Sequence, residues 1–322
     1  MIQIPAALAV IAGVFLVALP RIVSYGEVWR QLRMIDGSTL AVLAVVTAAN
    51  LLAPALSFKA ALPGLRLGPG VVMDWTTTAV TNTVPGGSAI AVGLTWSILR
   101  SFRLDGEAAA RAIVVTGVLD VLVKLGTPLP AVAWLATGRP VGAGLIQAAV
   151  FGGLLALGAV GLSAALLAGP GVARLMGRLL DRAPIIGDGW IERLDRLRSD
   201  TVTLLSRRWR PMVAWTLFGH ANLFLLLLLC LRATGADADQ LSPAAILAAF
   251  AFGRLVTAVP LTPGGLGVLE LSVVGALNMV GEAEQASVVA ALLLFRFATL
   301  ALPVPLGAAT GLWWHRTRAA GA

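Results

Sequence analysis

The chain has 322 residues, of which 58% are hydrophobic and only 12% charged, and its net charge of +8 comes almost wholly from arginine. Soluble domains carry about 25% charged residues, so a water-facing globular protein is excluded and an all-α polytopic membrane protein is expected. Positive charge in such a chain points to cytoplasmic loops and anionic lipid before nucleic acid.

The first apolar run, residues 3–20, lacks a basic leader and a small-residue cleavage site and is expected to be a retained span. Further full spans are expected at 38–60, 110–135, 141–168, 211–232 and 286–312, by length and apolarity, making about six transmembrane helices. Two other apolar segments, 72–98 and 243–280, are broken at their centres by related words, TAVTNTVPGG (78–87) and TAVPLTPGG (257–265). Proline removes a backbone donor and glycine frees the chain, and at membrane depth such breaks persist only where protein or a water-filled cavity surrounds them. Segment 243–280 is too long for one ordinary span and reads as a re-entrant hairpin turning at Pro263, Gly264 and Gly265. Segment 72–98, turning at Pro85, Gly86 and Gly87, reads as a hairpin or as a single kinked span.

Nine arginines between residues 169 and 210 place that stretch in the cytoplasm, and Ile191, Leu194, Leu197, Val202 and Leu205 recur there at the spacing of an amphipathic helix. Its arginines serve topology or capture anionic lipid. With both broken segments returning to the side they entered, the C-terminal tail is also cytoplasmic, whereas Arg21, Arg30 and Arg33 fall on the outside against the rule. The parity yields an inverted repeat: residues 38–135 with hairpin 72–98, then 211–312 with hairpin 243–280. Trp29, Trp134, Trp209, Trp215, Trp313 and Trp314 lie near span ends, as interfacial anchors do.

Ionisable residues are expensive in apolar segments, at about 2.5–3.5 kcal/mol each when central and unpaired. Among those within the apolar stretches are Asp74, Asp120, Lys124, His220, Arg254, Glu270 and Arg296. Asp120 and Lys124, acid first at i,i+4 spacing, form a local ion pair that either lowers insertion cost or takes part in function. Arg254 and Glu270 lie nine residues before and seven after Pro263, so antiparallel arms bring them to similar depth. They clamp the hairpin as a salt bridge, or Arg254 offers its guanidinium fork to a phosphate with Arg296 completing the pocket. Half-helix N-termini after each Pro-Gly-Gly, flanked by Asn82 in the first copy, would add free amides for the same anion. His220 is expected to bond a neighbouring helix. Metal-spaced histidine pairs, nucleophile elbows and P-loops are missing from the sequence, so no intrinsic catalysis, metal or organic cofactor is expected.

The run FGRLVTAVPLTPGGLGVLE (252–270), with NTVPGGSAIAVGLTWSILR (82–100) and the Asp120 helix, resembles the flippase-like membrane domain of lysylphosphatidylglycerol synthases. The resemblance covers nearly the whole chain and is most specific between Pro260 and Glu270. It implies a prokaryotic cytoplasmic-membrane unit that moves an anionic phospholipid or polyprenyl-phosphate-linked lipid between leaflets. Implied lipid-handling positions are Pro260, Pro263, Gly264, Gly265, Gly267 and Glu270, with Arg254 and Arg296 beside them. These 322 residues hold no counterpart of the soluble synthetase domain of the larger relatives, so lysyl transfer by this chain alone is not expected and a lipid-modifying transferase would be a separate partner. Where many relatives have Gly-x-Gly-Glu after the first proline, this chain has Gly86-Gly87-Ser88-Ala89 and so lacks that glutamate.

Overall fold

The computed structural model describes residues 25–84, 86–138, 142–168, 171, 190–258, 262–280 and 283–319. The expected first span, 3–20, and the two prolines Pro85 and Pro260 lie outside the described residues. Within them every regular element is helical: α1 (Tyr25–Arg33), α2 (Gly37–Ala61), α3 (Leu67–Thr83), α4 (Gly87–Ser101), α5 (Gly106–Gly126), α6 (Pro128–Ala136), α7 (Ala143–Ala168) and α8 (Trp190–Ala233). There follow α9 (Pro243–Val256), a short 3₁₀ turn (Pro263–Gly265), α10 (Val268–Val280), α11 (Gln285–Arg296), a π-turn (Phe297–Ala301) and α12 (Pro303–Ala319).

Five stretches among the described residues are long and apolar enough to cross a bilayer: Gly37–Ala61, Gly106–Ala136, Ala143–Leu167, Glu192–Ala233 and Gln285–Thr317. Each contains or nearly matches one expected span. Capping follows local chemistry, with Asp36 accepting from Thr39 N at 2.7 Å at the start of α2 and Asp105 accepting from Ala108 N at 2.7 Å before α5. The second span breaks at Thr127, just before Pro128 opens α6, because a proline cannot continue the backbone ladder.

The arginine-rich segment 169–210 and the span after it read in the sequence as separate units. From Trp190 onward they form one helix of 44 residues, α8, which runs through Pro211 without ending. At 1.5 Å per residue it is about 66 Å long, roughly twice the hydrocarbon thickness, so its basic half must project beyond the membrane. Continuity is held by contacts outside the span: Arg111 of α5 binds Asp200 at 2.7 Å, and Arg198 donates to the Leu167 carbonyl of α7 at 3.1 Å.

Two buried clusters organise the bundle. One gathers Leu226, Leu231, Ile246, Phe250, Leu277 and Leu292 from α8 to α11, and the other gathers Leu62, Met73, Ile98, Leu99 and Met212 from the first half and the middle of α8. Helices approach closely where residues are small, which is how packing is gained in a lipid solvent that offers no hydrophobic drive between helices. The buried alanines 244, 245, 248, 249 and 251 crowd α9, and Gly307 of α12 lies directly against the Trp75 carbonyl of α3. Polar side chains then lock pairs: Asn222 donates to Val46 O at 2.9 Å between α8 and α2, and Thr76 and Thr310 pair at 3.1 Å between α3 and α12. Helix α7 is largely exposed along Phe151, Leu154, Leu157 and Leu162, the face of a helix turned to acyl chains.

Candidate functional site

Both broken segments fold as two helices meeting at a glycine turn, and the turns differ in how they are held. In the first, Gly86 takes φ 71° as the residue before α4, a conformation that costs other residues about 1–2 kcal/mol. A side chain on Gly87 would run into the Val80 carbonyl, so α3 and α4 meet only because that position is bare. In the second, Gly264, Gly265 and Gly267 take φ of 59°, 65° and 80°. That winding turns two consecutive carbonyls the same way, toward Arg296.

Arg296 binds them both, with Nη1 donating to Gly264 O at 2.9 Å and Nη2 to Gly265 O at 2.8 Å. Its Nε and Nη2 also donate to the two Glu270 oxygens at 2.6 and 3.2 Å, and Glu270 accepts in turn from Gly267 N at 2.8 Å. The ion pair is buried, with side-chain exposures of 11% and 3%. Glu270 therefore bonds Arg296, not Arg254, which corrects the expected clamp. Equal depth on two arms does not decide facing, because each residue along a helix turns the side chain by about 100°. Arg296 thus joins the turn to Glu270. The π-turn that follows it opens the helix ladder at this point, as such bulges do beside functional sites.

The first motif reaches this turn directly: Asn82 Oδ1 lies 3.2 Å from where a side chain on Gly264 would begin. The broken segments thus meet, with Asn82 of α3 against the Pro263–Gly265 turn.

Arg254 faces elsewhere. Its Nη2 lies 3.2 Å from His220 Nε2 on α8, and its Nε is buried without a hydrogen-bond partner among the described residues. His220 Nδ1 lies 3.1 Å from the Thr216 carbonyl, and Asp120 Oδ1 of α5 lies 3.5 Å from His220 Nε2. Asp120 Oδ2 meets Lys124 Nζ at 2.5 Å. These groups line or adjoin a cavity of about 350 Å³ between α2, α4, α5, α8 and α9.

Charges around the cavity do not balance. Asp120 and Lys124 neutralise each other, as do Glu270 and Arg296, while Arg254 has no carboxylate within ion-pair distance among the described residues. A guanidinium carries five donors in a fixed fork, a pattern that matches phosphate oxygens.

Polar groups also line the opposite walls. Thr116 and Thr216 donate their hydroxyl hydrogens to Ala112 O and Met212 O at 2.8 and 2.9 Å, and Thr216 Oγ1 lies 3.2 Å from Ser57 Oγ. Pro54, inside α2, has no N–H for the Asn50 carbonyl, so that wall is opened as well. Sequence reading passed over Asn50, Ser57, Thr95, Thr116 and Thr216, although Pro54 in mid-span was a usable signal. Trp215 lines the cavity and Trp314 donates to Ser101 Oγ at 2.8 Å, so these two are more than interfacial anchors.

A family model described as the lysylphosphatidylglycerol synthase TM region matches residues 4–307. Among curated proteins no match was found.

Proposed function

The chain belongs to the lysylphosphatidylglycerol synthase transmembrane-region family, and from that premise we propose that it is a flippase-like lipid translocase whose cavity holds an anionic head group against Arg254. The family carries a membrane lipid-related role. The narrower reading rests on one observation: Arg254, which has no carboxylate within ion-pair distance among the described residues and a buried Nε without a partner, lines a largely apolar cavity. A phosphodiester supplies the missing acceptors and charge, with each charge-assisted bond contributing about 1.5–3 kcal/mol. In this reading α3 with α4 and α9 with α10 are opposed re-entrant pairs of an inverted repeat. Their contact through Asn82 and Gly264 would then be the pivot across which the cavity is presented alternately to the two leaflets. Arg296 and Glu270 serve by holding that pivot together.

The test uses the purified chain in liposomes carrying fluorescent phosphatidylglycerol or a polyprenyl phosphate, with an impermeant quencher reporting passage between leaflets. Wild type is expected to accelerate crossing, Arg254→Ala to reduce it at least about tenfold, the loss of one charge-assisted bond, and Arg254→Lys to fall between them. Crossing that survives Arg254→Ala removes the residue from the pathway. No crossing of any probe favours instead a membrane subunit of a lipid-modifying glycosyl- or aminoacyl-transferase, with catalysis in a soluble partner.

A further inference from the structure

Thr216 O can only accept a hydrogen bond, so the His220 Nδ1 that faces it at 3.1 Å carries a hydrogen. In the neutral ring Nε2 is then a lone pair, and it accepts from Arg254 Nη2 at 3.2 Å. The same lone pair points at Asp120 Oδ1 across 3.5 Å with no hydrogen between them. Two acceptors facing each other in a half-buried site repel. One proton on Nε2 removes the repulsion and creates an N–H for Asp120.

That proton also changes Arg254. Once Nε2 is protonated it cannot accept, so the guanidinium loses the partner that holds it against α8. Arg254, which lines the cavity and whose buried Nε lacks an acceptor, is then free of α8. The protonated ring adds a positive charge beside Arg254, and an anion bound to Arg254 offsets it. Occupation by the anion therefore favours the protonated ring, and the protonated ring favours the anion, since linkage between two sites is reciprocal.

We infer that the cavity takes up its anion together with a proton, and that His220 Nε2 is where the proton resides. This rests on the reading of Arg254 as the anion's partner and adds how binding is coupled. A proton from water binds Nε2 while a monoanionic phosphodiester binds Arg254, so the charge of the network does not change. Such electroneutral uptake avoids an extra uncompensated charge in a poorly solvated site.

The charged groups that face His220 are few. Asp120 and Lys124 approach from α5 and Arg254 from α9. Helix α2 presents Asn50, Ala53 and Ser57, and its one charged residue, Lys59, is not among the cavity residues. Helix α7 has no charged residue, and Arg296 of α11 is bound to Glu270. The proton is thus assigned to the imidazole, whose ordinary titration lies near pH 6.5.

The experiment uses the full chain in detergent with dioctanoyl phosphatidylglycerol as the probe. Calorimetric titration at about pH 8, above the ordinary imidazole range, in buffers of different ionisation enthalpy counts protons taken up per lipid. Wild type is expected to take up about one, with affinity rising about tenfold for each unit of pH fall in that range, as linkage of one proton requires. His220→Gln is expected to take up none and to lose the pH slope. Because the chain has two histidines, imidazole ¹⁵N spectra of His315→Gln report His220 alone. They should show the Nδ1–H neutral form without lipid and the imidazolium with it.

A variant His220→Gln that still takes up the proton, or a ring that stays neutral at saturating lipid, overturns the inference while leaving Arg254 as the anion's partner. The absence of any binding heat for wild type across the pH range overturns that partner assignment and this inference together. The spectroscopic arm decides the matter even where the glutamine variant fails to fold.

Discussion

Four hydrogen bonds join Arg296 to Gly264, Gly265 and Glu270, whereas among the described residues Arg254 has one side-chain hydrogen-bond partner and a nitrogen with none. The two arginines are thus engaged to very different degrees. Removing one member of a buried pair leaves the other uncompensated, at a cost of about 3–5 kcal/mol. Arg296→Ala and Glu270→Gln are therefore expected to lower the unfolding midpoint in detergent sharply, followed by tryptophan fluorescence. Arg254→Ala should shift it far less while impairing lipid crossing; equal destabilisation by both arginine variants would contradict the division of roles. That these residues matter was legible in the sequence, because charge in an apolar segment is costly. Which acid would meet which arginine was not, because spacing measures depth along a helix and leaves open the face presented across space.

Among the elements, the close helix pairs depend on glycines whose side-chain position is already occupied by a neighbour's backbone. Gly307 lies against the Trp75 carbonyl, and Trp75 is itself held by its Nε1 donating to Leu51 O at 2.9 Å. Neither α12 nor α3 can yield without moving a third helix. Gly307→Ala is expected to destabilise by about 1–3 kcal/mol, the range for overpacking. Gly158→Ala on α7, where nothing lies within 4 Å, is expected to be neutral or slightly stabilising, since alanine is the better helix former. Chemical denaturation of the two variants in mixed micelles measures the difference, and equal effects would refute the packing argument. The helices themselves were readable from apolar length. The join of α8 across residue 210 was not, because Arg111–Asp200 and Arg198–Leu167 are contacts between distant parts of the chain.

At the scale of the molecule, one helix about 66 Å long and the contact of Asn82 on α3 with the Pro263–Gly265 turn set the frame. The arginine-rich half of α8 is expected to face the cytoplasm and the acidic turn with Asp237 and Asp239 the exterior. The sole cysteine is buried, so in a Cys230→Ala background Ser206→Cys and Ala238→Cys can be labelled singly. An impermeant maleimide should reach Ala238→Cys in intact cells and Ser206→Cys only after permeabilisation. The reverse pattern would invert the orientation, and labelling of both from one side would remove the span between them.

Composition and hydropathy alone determined that this is a multi-pass helical membrane protein, because the bilayer excludes any other use of so much apolar chain. The two glycine-broken segments and the costly intramembrane charges were equally visible, since proline, glycine and ionised groups carry their penalties with them wherever they lie. Only the tertiary structure decided that Arg296 closes the turn and that Arg254 is left with His220 beside an open cavity. Partner choice is settled by the rotation and packing of helices distant in sequence, and residues 120, 220 and 254 become neighbours only when α5, α8 and α9 are assembled.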